Sequence, residues 1–151
     1  GPIYDLALSL DSKLATASAD GTARIWDLSG DCIAVLEGHR GEVLGVEFSR
    51  NGTQLGTASS DCTARIWSSG TCVALLSGHR KAVRKIRFSK LSFLLATCSD
   101  DCTTKLWRLA DRRTATGVEK AECYLTLSGH TAPIHDVAFD KEASAVATAS
   151  A

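Results

Sequence analysis

The sequence predicts an all-β chain built from stacked copies of one four-stranded antiparallel unit. Three observations carry that reading. A string recurs along the chain: TASADGTARIW at 16–26, TASSDCTARIW at 57–67 and TCSDDCTTKLW at 97–107, with TASA at 148–151 opening a fourth copy. The copies are spaced 41, 40 and 51 residues apart, a period that marks stacked repeats rather than one irregular domain. Each copy also divides into short runs of β-branched and apolar residues punctuated by turn residues, and no stretch sustains a helical period.

The first unit is predicted to place strands at 3–8, 13–18, 22–27 and 32–36, with Ile3, Leu6 and Leu8 as the apolar positions of its first run. The second takes 42–48, 54–59, 63–68 and 72–76. Its first run carries Val43, Val46 and Phe48, and Leu55-Gly56-Thr57-Ala58-Ser59 makes a strand of small residues suited to close cover on both faces. The third takes 82–88, 93–98, 103–108 and 123–127. A partial fourth has strands near 133–139 and 145–150 only. The boundaries expected for these units are 1–37, 38–77, 78–128 and 129–151. Asn51-Gly52 is a preferred hairpin turn, which is the better reading of the glycosylation sequon Asn51-Gly52-Thr53.

These residues and a second signal, the dipeptides Gly38-His39, Gly78-His79 and Gly129-His130, make the chain resemble a WD-repeat β-propeller over nearly its whole length. One motif departs from the pattern: Trp26-Asp27 keeps the closing dipeptide, whereas the other copies read Trp67-Ser68 and Trp107-Arg108. The resemblance implies four-stranded blades around a channel, here an incomplete ring, because such folds usually need four to eight blades. Two copies of the chain would lack the same two outer strands. A fragment of a longer propeller, covered at its open edge by the rest of that propeller or by a neighbouring chain, is therefore expected.

The resemblance also implies a structural tetrad of His39, Ser59, Asp61 and Trp67, repeated as His79, Ser99, Asp101 and Trp107, with Ser18, Asp20 and Trp26 in the first copy. His, Ser and Asp have the composition of a hydrolytic triad, but an enzyme has no use for the same triad in every blade. No catalytic residue is assigned. His130 has no Asp or Trp partner of this kind within the chain.

Composition bounds the function. Seventeen basic and seventeen acidic residues give no global charge to draw the chain to nucleic acid, and no apolar run approaches membrane-spanning length. The six cysteines fall at repeat-equivalent positions: Cys32, Cys72 and Cys123 in outer strands, Cys62 and Cys102 after the turn Asp, and Cys98 where the other copies have Ala17 and Ala58 in the second strand. Such positions in neighbouring blades lie too far apart for a disulfide or a zinc site, so no metal or cofactor is expected, and free thiols suit a reducing, cytoplasmic setting. Two features break the repeat. The insertion 110–122 is expected to form a solvated loop between the third and outer strands, and Arg80, Lys81, Arg84, Lys85, Arg87 and Lys90 cluster around the third unit's first strand. Leu91-Ser92 replaces the Asn51-Gly52 turn.

Family members act mostly as rigid platforms for other proteins. The resemblance therefore implies a non-catalytic interaction scaffold within an intracellular assembly. The string at 16–26 is similar to WD-repeat factors of ciliary dynein assembly, so a ciliary or cytoskeletal assembly is one setting. The alternative is a reader of acidic or phosphorylated peptides using the basic cluster, and an enzyme or metal protein is the remote third. The family's usual contact positions map to Tyr4, Glu42, Leu44, Ser60, Arg84, Asp100 and His135, with the Arg84 guanidinium expected to clamp a carboxylate or phosphate.

Overall fold

The computed structural model describes residues 1–90, 94–113 and 119–151. Among the described residues all regular structure is β: β1 Ile3–Leu8, β2 Leu14–Ser18, β3 Ala23–Trp26, β4 Cys32–Leu36, β5 Val43–Phe48, β6 Gln54–Ser59, β7 Thr63–Ser68, β8 Thr71–Ser77, β9 Val83–Phe88, β10 Leu94–Ser99, β11 Thr103–Arg113, β12 Glu119–Ser128, β13 Ile134–Phe139 and β14 Val146–Ser150. They form three four-stranded antiparallel sheets in simple chain order, β1–β4, β5–β8 and β9–β12, and a two-stranded sheet β13–β14. The first strands β1, β5, β9 and β13 are successive neighbours at the inner side, so the sheets stack face to face as blades of a ring that does not close.

Turn chemistry sets each hairpin. In the turn after β2 the Asp20 carboxylate accepts from Thr22 N at 2.9 Å and Thr22 Oγ1 at 2.6 Å, and Gly21 supplies a φ of 82°. The next two copies place Cys62 and Cys102 at that left-handed position, with φ of 69° and 65°. Register shifts recur at equivalent points: Ile3/Asp5, Val43/Gly45 and Ile134/Asp136 on first strands, and Ile25/Trp26, Ile66/Trp67 and Leu106/Trp107 on third strands. Such bulges increase local twist, which each blade needs in order to lie on its neighbour.

The core sits between sheets and pairs small residues with large ones. Ala15, Ala17, Ala23 and Leu36 of the first sheet pack on Val46, Phe48, Leu55 and Trp67 of the second. Ala58, Ala64, Ile66 and Leu76 of the second pack on Ile86, Leu95 and Trp107 of the third. Gly56 belongs to the small face, where an added Cβ would lie 2.9 Å from Ile86 Cδ1. On the large-residue face of the first sheet, which no other sheet covers among the described residues, Leu6 and Leu8 are 62% and 68% exposed.

Carboxylates stitch the inner strands together. Asp5 accepts from Val46 N at 3.1 Å and from Lys85 Nζ at 2.9 Å, so one side chain ties the first three blades. Glu47 accepts from Phe88 N, and burial pushes its carboxyl upward. Arg87 lies 3.9 Å from Glu47 and 3.1 Å from Asp136 of β13.

The expected strands lie where predicted to within a residue or two, except at the insertion. Residues 110–122 were expected to be a solvated loop; instead β11 runs to Arg113 and β12 starts at Glu119, with Arg113 paired to Glu119, so the hairpin simply lengthens. The centre of the insertion, 114–118, and the Leu91-Ser92 turn lie outside the described residues.

Candidate partner-binding surface and the buried relay beneath it

Each complete pair of blades contains a chain of hydrogen bonds under the turn-bearing rim. Trp67 Nε1 donates to Thr57 Oγ1 at 2.9 Å, Thr57 Oγ1 lies 2.7 Å from His39 Nε2, and His39 Nδ1 lies 2.9 Å from Asp61 Oδ2. The third sheet repeats it: Trp107 to Thr97 at 2.8 Å, Thr97 to His79 at 2.8 Å, and His79 to Asp101 at 2.9 Å. In the first sheet Trp26 donates to Thr16 at 3.0 Å.

One direction of donation satisfies every group. The indole N–H can only donate, so the threonine hydroxyl accepts it and gives its own proton to a neutral Nε2. The Nδ1–H then donates to the carboxylate. Burial holds both imidazoles below the usual histidine range, against the pull of Asp61 and Asp101, which agrees with neutral rings. Burial raises the Asp61 carboxyl, but hydrogen bonds from Thr63, Arg40 N and His39 together outweigh it and bring it down to about 2. Asp101 is lowered by the same set from Thr103, Arg80 N and His79.

The hydroxyl in this relay is that of Thr57, Thr97 or Thr16, not of Ser59, Ser99 or Ser18 as the sequence reading had it. Both residues stand on the same face of the second strand, and the threonine is the one between imidazole and indole. The serines serve the turn instead: Ser59, Ser99 and Ser18 Oγ accept from Asp61 N at 3.1 Å, Asp101 N at 3.0 Å and Asp20 N at 3.2 Å. Thr57 and Thr97 are fully buried, so the Asp–His–Thr sequence of a hydrolase has no approach for a substrate. His130 keeps the threonine contact of the relay, with its Nε2 2.8 Å from Thr148 Oγ1.

Above the relay, backbone bonds lock the rim in every sheet. Ala19 N donates to Pro2 O at 2.9 Å, Ser60 N to Glu42 O at 2.9 Å, Asp100 N to Ala82 O at 3.0 Å and Ala151 N to Pro133 O at 3.3 Å. These bonds join each segment entering a first strand to the turn after the second. Tyr4, Glu42 and His135 are exposed there, and Leu44, Ser60, Arg84 and Asp100 are half-buried. Tyr4 Oη donates to Glu42 Oε1 at 3.1 Å across the first two blades. Arg84 is not a free clamp: its Nε and Nη2 donate to the two Asp100 oxygens at 2.8 and 2.7 Å. With Lys85 on Asp5 and Arg87 between Glu47 and Asp136, the centre of the basic cluster is neutralised by carboxylates. Arg80, Lys81 and Lys90 remain exposed.

Among the described residues no group of three or more His, Cys, Asp or Glu side chains could hold a metal ion, and no helix is long and apolar enough to cross a membrane. The Cys98 thiol is pushed up to about 12 by burial, which makes it inert as a nucleophile at neutral pH.

Three curated relatives are similar over single stretches. The chain is 56% identical over 45 residues to ribosome assembly protein 4 of Chaetomium thermophilum, covering 29% of this chain and 9% of that protein. It is 55% identical over 40 residues to the probable cytosolic iron-sulfur protein assembly protein 1 of Neurospora crassa, covering 24% and 8%. It is 51% identical over 43 residues to nuclear distribution protein PAC1 of Mycosarcoma maydis, covering 28% and 10%. Each match thus spans a tenth or less of the relative's own length. The family model described as WD domain, G-beta repeat matches residues 1–27, 30–68, 70–108 and 121–151. The middle two matched segments each begin with the outer strand of one blade, β4 or β8, and end in the third strand of the next. Repeats that straddle blades in this way bind neighbouring sheets covalently as well as by packing. On the strength of that match across all four sheets, the chain belongs to the WD-repeat family.

Proposed function

We propose that this chain is a non-catalytic platform that holds other proteins or peptides in an intracellular, cytoplasmic assembly, and that they dock on the rim carrying Tyr4, Glu42, Leu44, Ser60, Arg84, Asp100 and His135. The observation that carries this is the rim's rigidity. The same backbone bond ties entering segment to turn in all four sheets, and in the second and third the Asp turn is also anchored by the relay below. A surface fixed before binding loses little conformational entropy on contact, so modest contacts yield useful affinity. An aromatic, an arginine and a histidine on that surface are suitable anchors. Two of the relatives are named as assembly proteins, which fits a platform role. A ciliary or cytoskeletal setting rests on the string at 16–26 alone.

The alternative of an acidic or phosphorylated-peptide reader draws less support, because an incoming anion would have to displace Asp100 from Arg84. Affinity capture with mass spectrometry tests both readings. The double exchange Arg84→Asp with Asp100→Arg keeps an ion pair while reversing the surface, and Tyr4→Ala removes the aromatic anchor. Loss of co-purifying proteins at unchanged melting temperature supports rim docking, whereas full recovery with both variants contradicts it. Loss of the same proteins on phosphatase treatment would favour the peptide reader.

A further inference from the structure

We propose that the groove between the first two sheets, at the end opposite the rim, is a docking site for an extended segment of a partner protein, which places a leucine there with basic residues beside it. The groove lies between two complete blades and apart from the rim, and the inference stands without the rim reading.

The groove has a volume of about 610 Å³, and Ile25, Ile33 and Ala34 of the first sheet and Leu55 and Trp67 of the second are its apolar lining. The next interface explains why it is open. There Val73, Leu109 and Ala121 pack on the core between the second and third sheets, and β12 lies against β8. Leu109 stands two residues after Trp107 and Ala121 two before Cys123, and they pair across the hairpin. In the second sheet the same places, two after Trp67 and two before Cys72, fall to Ser69 and Gly70. These two residues are the turn itself, and a Cβ added at Gly70 would meet nothing within 4 Å.

The shorter hairpin of the second sheet therefore stops before it covers the first, and β8 makes no comparable approach to β4. Ile33 holds the place of Val73, each following the cysteine that pairs with its sheet's tryptophan. Val73 is half-buried, whereas Ile33 is 50% exposed. The filled interface thus displays the apolar part of the occupant: a leucine on extended backbone with a small residue beside it.

Charge supplies the rest. The turn joining the strands of Ile25 and Ile33 carries Asp27 and Asp31, and neither has a cation partner among the described residues. Asp27 also accepts from Ser29 N at 2.9 Å and Asp31 N at 3.0 Å, which fixes the turn before any partner arrives. Leu28 in the same turn is 73% exposed. Lys13, the one basic side chain lining the groove, is already held by Asp11 at 2.5 Å. An apolar slot edged by unpaired carboxylates favours an aliphatic side chain with lysine or arginine next to it.

The chain's own residues 108–113, RLADRR, have this composition, and a labelled synthetic peptide of them is the probe. Fluorescence polarisation follows its titration with the chain. Saturable binding is expected, weakened about tenfold by Leu109→Ser in the peptide or by Ile33→Ser in the protein. Asp27→Asn with Asp31→Asn should weaken it about threefold to fivefold at low salt and less at high salt. Val35→Ser, on the same strand and also exposed but outside the groove, should bind as the unaltered chain does. Absence of binding, equal binding by the unaltered chain and Ile33→Ser, or an equal loss with Val35→Ser overturns the proposal. So does self-association of the free chain that Ile33→Ser abolishes, which would give the groove to a second copy.

Discussion

Replacing Thr57 by valine keeps the shape of the side chain and removes the one oxygen that joins Trp67 to His39. Two buried groups then lose their partner, the indole N–H at 2.9 Å and the imidazole Nε2 at 2.7 Å. Water cannot replace it, because Thr57 is fully buried and Trp67 is 3% exposed. At about 1–3 kcal/mol for each orphaned polar group, with some relaxation, the expected loss is roughly 2–4 kcal/mol. Ser59→Ala removes only an acceptor for Asp61 N, and the expected loss is about 0.5–1.5 kcal/mol. Thr57→Ser restores the hydroxyl and should recover most of the difference. Urea unfolding followed by tryptophan fluorescence measures all three in one experiment. A Ser59→Ala loss equal to or larger than that of Thr57→Val would refute the placement of threonine in the relay.

The remaining predictions concern pH, turn strain and close approach. His39 and His79 have folded pKa values below the unfolded value, so the unfolded chain takes up protons first and stability falls as pH drops below about 6.5. Asp61 and Asp101 are also depressed, so a second loss should follow from about pH 4 towards pH 2; a melting temperature flat from pH 7 to pH 3 would contradict both. Cys62→Gly and Cys102→Gly relieve a left-handed conformation at a side-chain-bearing residue and should each stabilise by up to about 1 kcal/mol in thermal melts, with no gain if that conformation is unstrained. Gly45→Ala would set a Cβ 2.7 Å from the Arg84 carbonyl oxygen, forcing the second and third blades apart, and should cost about 1–3 kcal/mol, whereas a silent change would mean a looser interface.

What the sequence could show followed from repetition. Strand positions, turn residues and the blade count were legible because each copy repeats the same apolar spacing and the same punctuation. The relay hydroxyl was not legible for the same reason. Every copy holds both a Thr and a Ser two residues apart on one strand face, so spacing to the His and the Trp is constant for either. The insertion was misread because 110–122 is mostly polar and small residues with no alternation of large apolar positions, the pattern by which a strand announces itself. Arg84 looked available because its partner Asp100 lies sixteen residues on, brought alongside only by the antiparallel pairing of β9 with β10. Asp5 illustrates the wider limit, since its partners Val46 N and Lys85 come from two other blades and no local pattern announces them.

The platform reading is tested most directly by hydrogen–deuterium exchange of the chain alone and with a partner recovered by affinity capture. The account predicts that bound partner slows exchange in the segments entering β1, β5, β9 and β13 and in the turns at Ser60 and Asp100. Protection confined to the outer strands β4, β8 and β12, with the rim exchanging as in the free chain, would contradict it.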